Sequence, residues 1–199
     1  MSGREALERK IRALELLRSE PESPSTLEQL RQALKDRSNY FVSKAAALAG
    51  DLRLVALEPD LLAAFDRFMA NPVKSDPQCW AKNAIAKALK DLDHQDPEIF
   101  LRGLAHFQLE PVWGGREDTA TALRGTCALA LPGCSLDDLE VLRRLVDALA
   151  DPAKPVRIDA ARAIAQLPRP ESALLLRLKA LVGDSDPEVK GQCFASLLS

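Results

Sequence analysis

Chemistry in this chain would have to begin from four cysteines, two histidines, two tryptophans and a basic residue that returns at a fixed place. Cys79, Cys127, Cys134 and Cys193 form no C-x-x-C pair and have no nearby histidine, which suits neither a zinc site nor a disulfide framework. Three of them fall where a helix buries small side chains, and they read as reduced core thiols. His94 falls in a turn between helices and reads as solvated, whereas His106 follows the apolar Leu104-Ala105 and edges the core. Neither has a second histidine four residues on or an H-E-x-x-H frame. No G-x-S-x-G elbow, phosphate loop or dinucleotide fingerprint occurs. The acidic pairs Glu117-Asp118 and Asp137-Asp138 stand at helix starts, where the helix dipole accounts for them. The sequence offers no catalytic constellation, asks for no metal or cofactor, and does not read as an enzyme.

Binding has better candidates. Lys82, Arg124, Arg157 and Lys190 recur at one position of a repeated pattern, and Lys87 lies on the same helix as Lys82. The stretch Glu110-Pro111-Val112-Trp113-Gly114-Gly115-Arg116-Glu117-Asp118-Thr119 interrupts that pattern. Its consecutive glycines disfavour a buried core segment, and a tryptophan beside an arginine is a pairing that anchors interfaces. Trp113 and Arg116 are therefore candidate partner contacts; the alternative is that Trp113 folds back over a gap in the repeats. Trp80 precedes a stripe of small residues and reads as core or rim.

The elements that must position these residues follow from self-similarity. Leu123-Arg124-Gly125-Thr126-Cys127-Ala128-Leu129-Ala130-Leu131 aligns with Val156–Ile164 and with Val189–Leu197, in equal steps from 123 to 156 to 189. Each runs apolar, basic, two variable, two mostly small, one variable, small, apolar, which is the stripe of a buried helix. Ala81–Leu89 fits the same order, and Val42–Gly50 fits with its lysine displaced by one place. Ala46, Ala86, Ala128, Ala161 and Phe194 share one register position and are expected to be buried. A leucine-rich first helix precedes each: Leu27/Leu30/Leu34, Leu61/Leu62/Phe65/Phe68, Ile99/Leu101/Leu104, Leu139/Leu142/Leu145/Leu149 and Leu174/Leu175/Leu178/Leu181. Ser25-Thr26-Leu27-Glu28 reads as a capping box, Ser135–Asp138 as a weaker one, and Asp-Pro pairs at 76, 96 and 186 as helix starts. Residues 4–19 form an amphipathic helix with Leu7, Ile11, Leu14 and Leu17 on one face.

The Asp-Pro turn followed by Val-Arg-x-x-Ala-Ala-x-Ala-Ile at 156–164 resembles the HEAT-repeat family. The resemblance implies an all-α fold, a right-handed α-solenoid of about five HEAT-like helix pairs with an N-terminal capping helix. It implies one domain over 1–199, with repeats near 25–52, 59–92, 96–132, 135–167 and 170–199. It also implies that second helices line a concave surface, and that the recurring basic residue pairs with an acid of a neighbouring repeat. The functional alternative is a moderately basic concave face that attracts an acidic peptide or a phosphate backbone.

Function is the weaker inference, because this fold serves many partners. The leading expectation is a scaffold that holds a protein or peptide partner. The alternatives are a nucleic-acid binder akin to HEAT-like alkylpurine DNA glycosylases, and a HEAT-like bilin lyase. A net charge of −2 speaks against a nucleic-acid-coating protein. The chain is 47% hydrophobic but only 5% aromatic, and no uncharged run reaches the length of a membrane span, so a soluble cytoplasmic protein is expected. The last helix ends at Leu197-Leu198-Ser199 with no polar cap, which predicts self-association through that end or a longer native chain.

Overall fold

The computed structural model describes residues 3–21 and 23–198. Helices dominate the described residues: α1 Gly3–Leu16, α2 Pro24–Leu34, α3 Asn39–Asp51, α4 Glu58–Met69, the single turn α5 Pro72–Ser75, α6 Trp80–Asp91, α7 Glu98–Leu104, α8 Thr121–Ala130, α9 Asp138–Ala148, α10 Lys154–Ala165, α11 Pro170–Val182 and α12 Pro187–Leu198. The Leu- and Ala-rich composition favours this outcome. The expectation of an all-α chain holds, with one short addition that it did not include. Residues 109–118 form a two-stranded antiparallel hairpin, β1 Leu109–Val112 and β2 Gly115–Asp118. None of the described helices is long and apolar enough to cross a membrane.

The chain divides into two compact units, Met1–His94 with Gln108–Thr119, and Gln95–Phe107 with Ala120–Ser199. In the first, α3 and α6 lie directly against each other. A Cβ added at Gly50 would come within 3.0 Å of Ala88 Cα, so the contact requires small residues on both helices. Val42, Ala46, Ile85 and Ala86 have no exposed surface, and Leu61, Phe65 and Phe68 of α4 close the other side of this core. Both helices end with a residue in left-handed conformation, Arg53 (φ 51°) and Asp93 (φ 59°). There the Leu54 amide donates to Ala49 O and the His94 amide to Leu89 O, each at 3.0 Å, closing the last turn. His94 is not solvated: its Nδ1 stands 3.0 Å from Glu58 Oε2 in a nearly buried pair.

In the second unit α10 packs between α8 and α12. Gly103 faces Cys127 Sγ and Gly125 faces the Asp159 carboxylate, each too closely for a Cβ. Four of the five expected stripe residues, Ala46, Ala86, Ala128 and Ala161, are fully buried, but Phe194 is 48% exposed. α12 buries Val189 and Cys193 against its neighbours, and among the described residues no further helix reaches the face that carries Phe194. The stripe expected on α11 is displaced for the same reason. Its buried residues are Ser172, Leu176 and Ala180, while Leu174, Leu178 and Leu181 are exposed.

Helix starts also differ from the sequence reading. Ser23, not Ser25, caps α2 and accepts from the Ser25 amide at 3.3 Å, with Pro24 in the first turn. Thr26 Oγ1 donates instead to Glu20 O at 2.7 Å. Asp137 caps α9, accepting from the Leu139 amide at 2.9 Å. Cys79, Cys127 and Cys193 are buried, Cys134 is half-buried, and all four are free thiols. Burial pushes the Cys79 thiol up to about 12 and Cys134 up to about 11, which leaves both protonated at neutral pH.

Candidate functional site

Three of the recurring basic residues point inward. Arg124 has no exposed surface; its Nε donates to Asp151 Oδ2 at 2.7 Å and its Nη2 to Asp151 Oδ1 at 3.0 Å, a bidentate fork. Nη1 donates to His106 O at 3.1 Å, and the guanidinium lies 4.0 Å from the centre of the Phe107 ring. Arg157 repeats the arrangement one step later. It donates to Asp184 at 2.9 and 2.8 Å, to Asp186 at 2.7 Å and to the Asp151 carbonyl at 2.8 Å. The hydrogen bond from Arg157 leads the causes that hold the Asp184 carboxyl well below the usual range; Lys179, 2.8 Å away, reinforces it against the opposing effect of burial. Lys82 is fully buried with its Nζ 3.0 Å from Asp76 Oδ2, outside good hydrogen-bonding alignment.

Lys82, Arg124 and Arg157 are therefore not available as partner contacts, whereas Lys87 and Lys190 are exposed. The acids that hold the buried set had a signal in the sequence. Asp76, Asp151 and Asp184 each lie six residues before a basic residue of the pattern, and the last two are separated by its equal step. The prolines that follow Asp76 and Asp151 account for those two acids on their own, which leaves this second period unused.

The feature that sequence reasoning located without resolving is the hairpin. Its register pairs Leu109 with Asp118, Glu110 with Glu117, Pro111 with Arg116 and Val112 with Gly115, leaving Trp113 and Gly114 as the loop. Gly114 takes φ +85°, a conformation that only glycine adopts freely. Trp113 does not fold back: it is 103% exposed, and Arg116 beside it is exposed as well.

An isolated two-stranded ribbon is marginal in water, so something must fasten this one. The fastening is Glu110, which is 6% exposed. Its Oε1 accepts from the Gln78 amide at 2.7 Å, Gln108 Nε2 at 2.6 Å and Thr119 Oγ1 at 2.7 Å. Burial raises the Glu110 pKa, but these hydrogen bonds and the Lys82 charge outweigh it and the net displacement is downward. Gln108 Nε2 donates also to the Asp76 carbonyl at 2.8 Å. Asp76 in turn accepts from the Ala81 and Lys82 amides and from Asn39 Nδ2, all at 2.9 Å. The receiving turn is strained. Gln78 (φ 63°) and Cys79 (φ 55°) are consecutive non-glycine residues in left-handed backbone, each costing about 1–2 kcal/mol. That conformation aims the Gln78 amide at Glu110. Immediately after it, Trp80 is 49% exposed and meets Tyr40 edge-on, with ring centres 5.3 Å apart.

No protein-family model matches the chain, and no curated protein is similar enough to count as a relative. Among the described residues no group of three or more His, Cys, Asp or Glu is arranged to hold a metal ion.

Proposed function

We propose that this chain is a HEAT-like helical-repeat protein, a solenoid of about five helix pairs capped by α1, that serves as a non-catalytic scaffold for a protein partner. The observation that carries the reading is Trp113. A fully exposed tryptophan loses nothing structural by being removed, yet here a hairpin, a buried carboxylate network and two strained residues hold it in place. Tryptophan and arginine are the residue types that contribute most where protein surfaces meet, which assigns Trp113 and Arg116 as anchors. The nucleic-acid alternative loses ground, because three of its five expected phosphate contacts, Lys82, Arg124 and Arg157, are buried against carboxylates. A second copy of the chain is a further partner on this reading, at the exposed Leu178, Leu181 and Leu198 of α11 and α12.

Affinity purification of tagged wild-type and Trp113→Ala protein from the native cells tests the scaffold. The expected result is a partner recovered at least tenfold less with the variant, at an unchanged melting temperature. Glu110→Ala, which unfastens the hairpin with Trp113 intact, should lose the same partner. An identical partner set for all three proteins refutes the assignment.

A further inference from the structure

We infer that the face shared by α3 and α6 binds an acidic, extended peptide segment of a protein partner, with Lys44 and Lys87 taking its carboxylates and Tyr40 and Trp80 seating an apolar side chain. The inference rests on the scaffold reading above but uses a surface separate from the Trp113 loop.

The two helices run in the same direction, since Tyr40 lies beside Trp80 at one end and Gly50 beside Ala88 at the other. Lys44 follows Tyr40 by one turn, and its Nζ sits 5.1 Å from the centre of that ring. Lys87 follows Trp80 by seven residues, which returns it to the same helical face. Both lysines are exposed, and among the described residues neither has a carboxylate partner. Ser43, Ala47, Asn83 and Ala84 fill the ground between them, so the face carries no acid. The acids of these helices, Asp51 and Asp91, stand at their last residues and are occupied, Asp51 by Arg18 at 2.6 Å and Asp91 by Lys90 at 3.0 Å. An aromatic pair half open to solvent beside two unpaired cations is an unbalanced surface. Its complement is a chain with apolar bulk at one end and negative charge at the other.

Spacing narrows the ligand. One and two helical turns place Lys44 and Lys87 about 6 and 10 Å along the axes from their aromatic residues, on helices about 8–10 Å apart. The lysines are thus separated by about 10 Å, the span of three residues of extended chain. The recognised segment carries an aromatic or leucine residue followed by two acids spaced two to four residues apart. A phosphate backbone is the poorer complement. It rewards a longer track of cations, but Lys82 on the same helix is buried and the chain's net charge is −2.

The Trp113→Phe variant leaves Trp80 as the single tryptophan, because the chain has two. Panning a random dodecapeptide library on that variant, then titrating the selected peptides against Trp80 emission, tests the site. The expected clones hold at least two Asp or Glu at the stated spacing and an aromatic or leucine. They shift or quench Trp80 emission, and they bind at least tenfold more weakly to Lys44→Glu/Lys87→Glu. Both lysines are exposed, so that double variant should keep the parent's circular dichroism and melting temperature. No enrichment, neutral or basic clones, or binding that survives the double substitution overturns the inference, as does tighter binding of a single-stranded oligothymidylate dodecamer than of any peptide. Because the test protein lacks Trp113, failure here leaves the hairpin's role standing, and failure of the Trp113→Ala purification leaves this site standing.

Discussion

Replacing Arg124 with methionine deletes a guanidinium that makes two bonds to Asp151 and one to His106 O, while keeping an apolar stem against Phe107. Asp151 is 8% exposed and would be left with one bond, from the Ala153 amide at 2.7 Å. Breaking a buried pair on one side costs about 3–5 kcal/mol, because the remaining charge has no compensation. For a chain of this length each kcal/mol lowers the melting temperature by about 2–4 °C, so the expected loss lies between about 6 and 20 °C. Asp151→Asn keeps an acceptor for Ala153, and combining it with Arg124→Met removes the stranded charge. Urea denaturation of the two single variants and the double variant closes a cycle whose coupling should reach about 2–3 kcal/mol. A single variant that loses under about 1 kcal/mol, or a cycle with no coupling, would refute the claim that Arg124 is committed to the interior. A partner-binding Arg124 would show the opposite pattern, with stability unchanged and binding lost.

Two further outcomes follow from the same geometry. The Asp184 pKa is depressed in the folded chain, so its pairing stabilises fully above the ordinary aspartate value of 3.8 and is lost as pH falls through the lower folded value. Melting temperature should therefore fall on acidification below about pH 4, and Asp184→Asn should start lower and show a shallower acid slope; parallel slopes would contradict the assignment. On the exposed face of α11, Leu178→Glu/Leu181→Glu should abolish the concentration-dependent association expected of wild type in sedimentation velocity. Wild-type protein that stays monomeric across the range removes the second copy as a partner.

The helices were legible because their cores use one device, a small residue at a fixed register. The four alanines at that position are buried without remainder. The same rule fails at Phe194 and on α11 for a reason that a periodic pattern does not contain: burial needs a neighbour on that side, and leucine alone does not supply one. A second limit concerns sign. The family resemblance puts a ladder ahead of a binding stripe, but the spacing of cations by itself says nothing about which way they point. The matching step from Asp151 to Asp184, the partners of Arg124 and Arg157, distinguishes the two, and it is present in the sequence.

The hairpin foot is a different case. Glu110 is held by groups at 78, 108 and 119, and its shorter bond from position 78, 2.7 Å against 3.4 Å from Gln78 Nε2, comes from a backbone amide. A backbone donor leaves no trace in residue type, so the shorter of these two bonds is invisible in the sequence. What makes Gln78 special is its left-handed φ, and sequence signals that state mainly through glycine or asparagine, neither of which stands at 78 or 79. The strands themselves are four residues long and one carries Pro111, which lacks the amide that would mark it as a strand interior. Only the Trp-Gly-Gly run was visible, and it located the exposed end of the feature. The buried end, where the energy that holds Trp113 in place resides, is built from a carboxylate, a strained turn and two uncharged polar side chains drawn from three places in the chain.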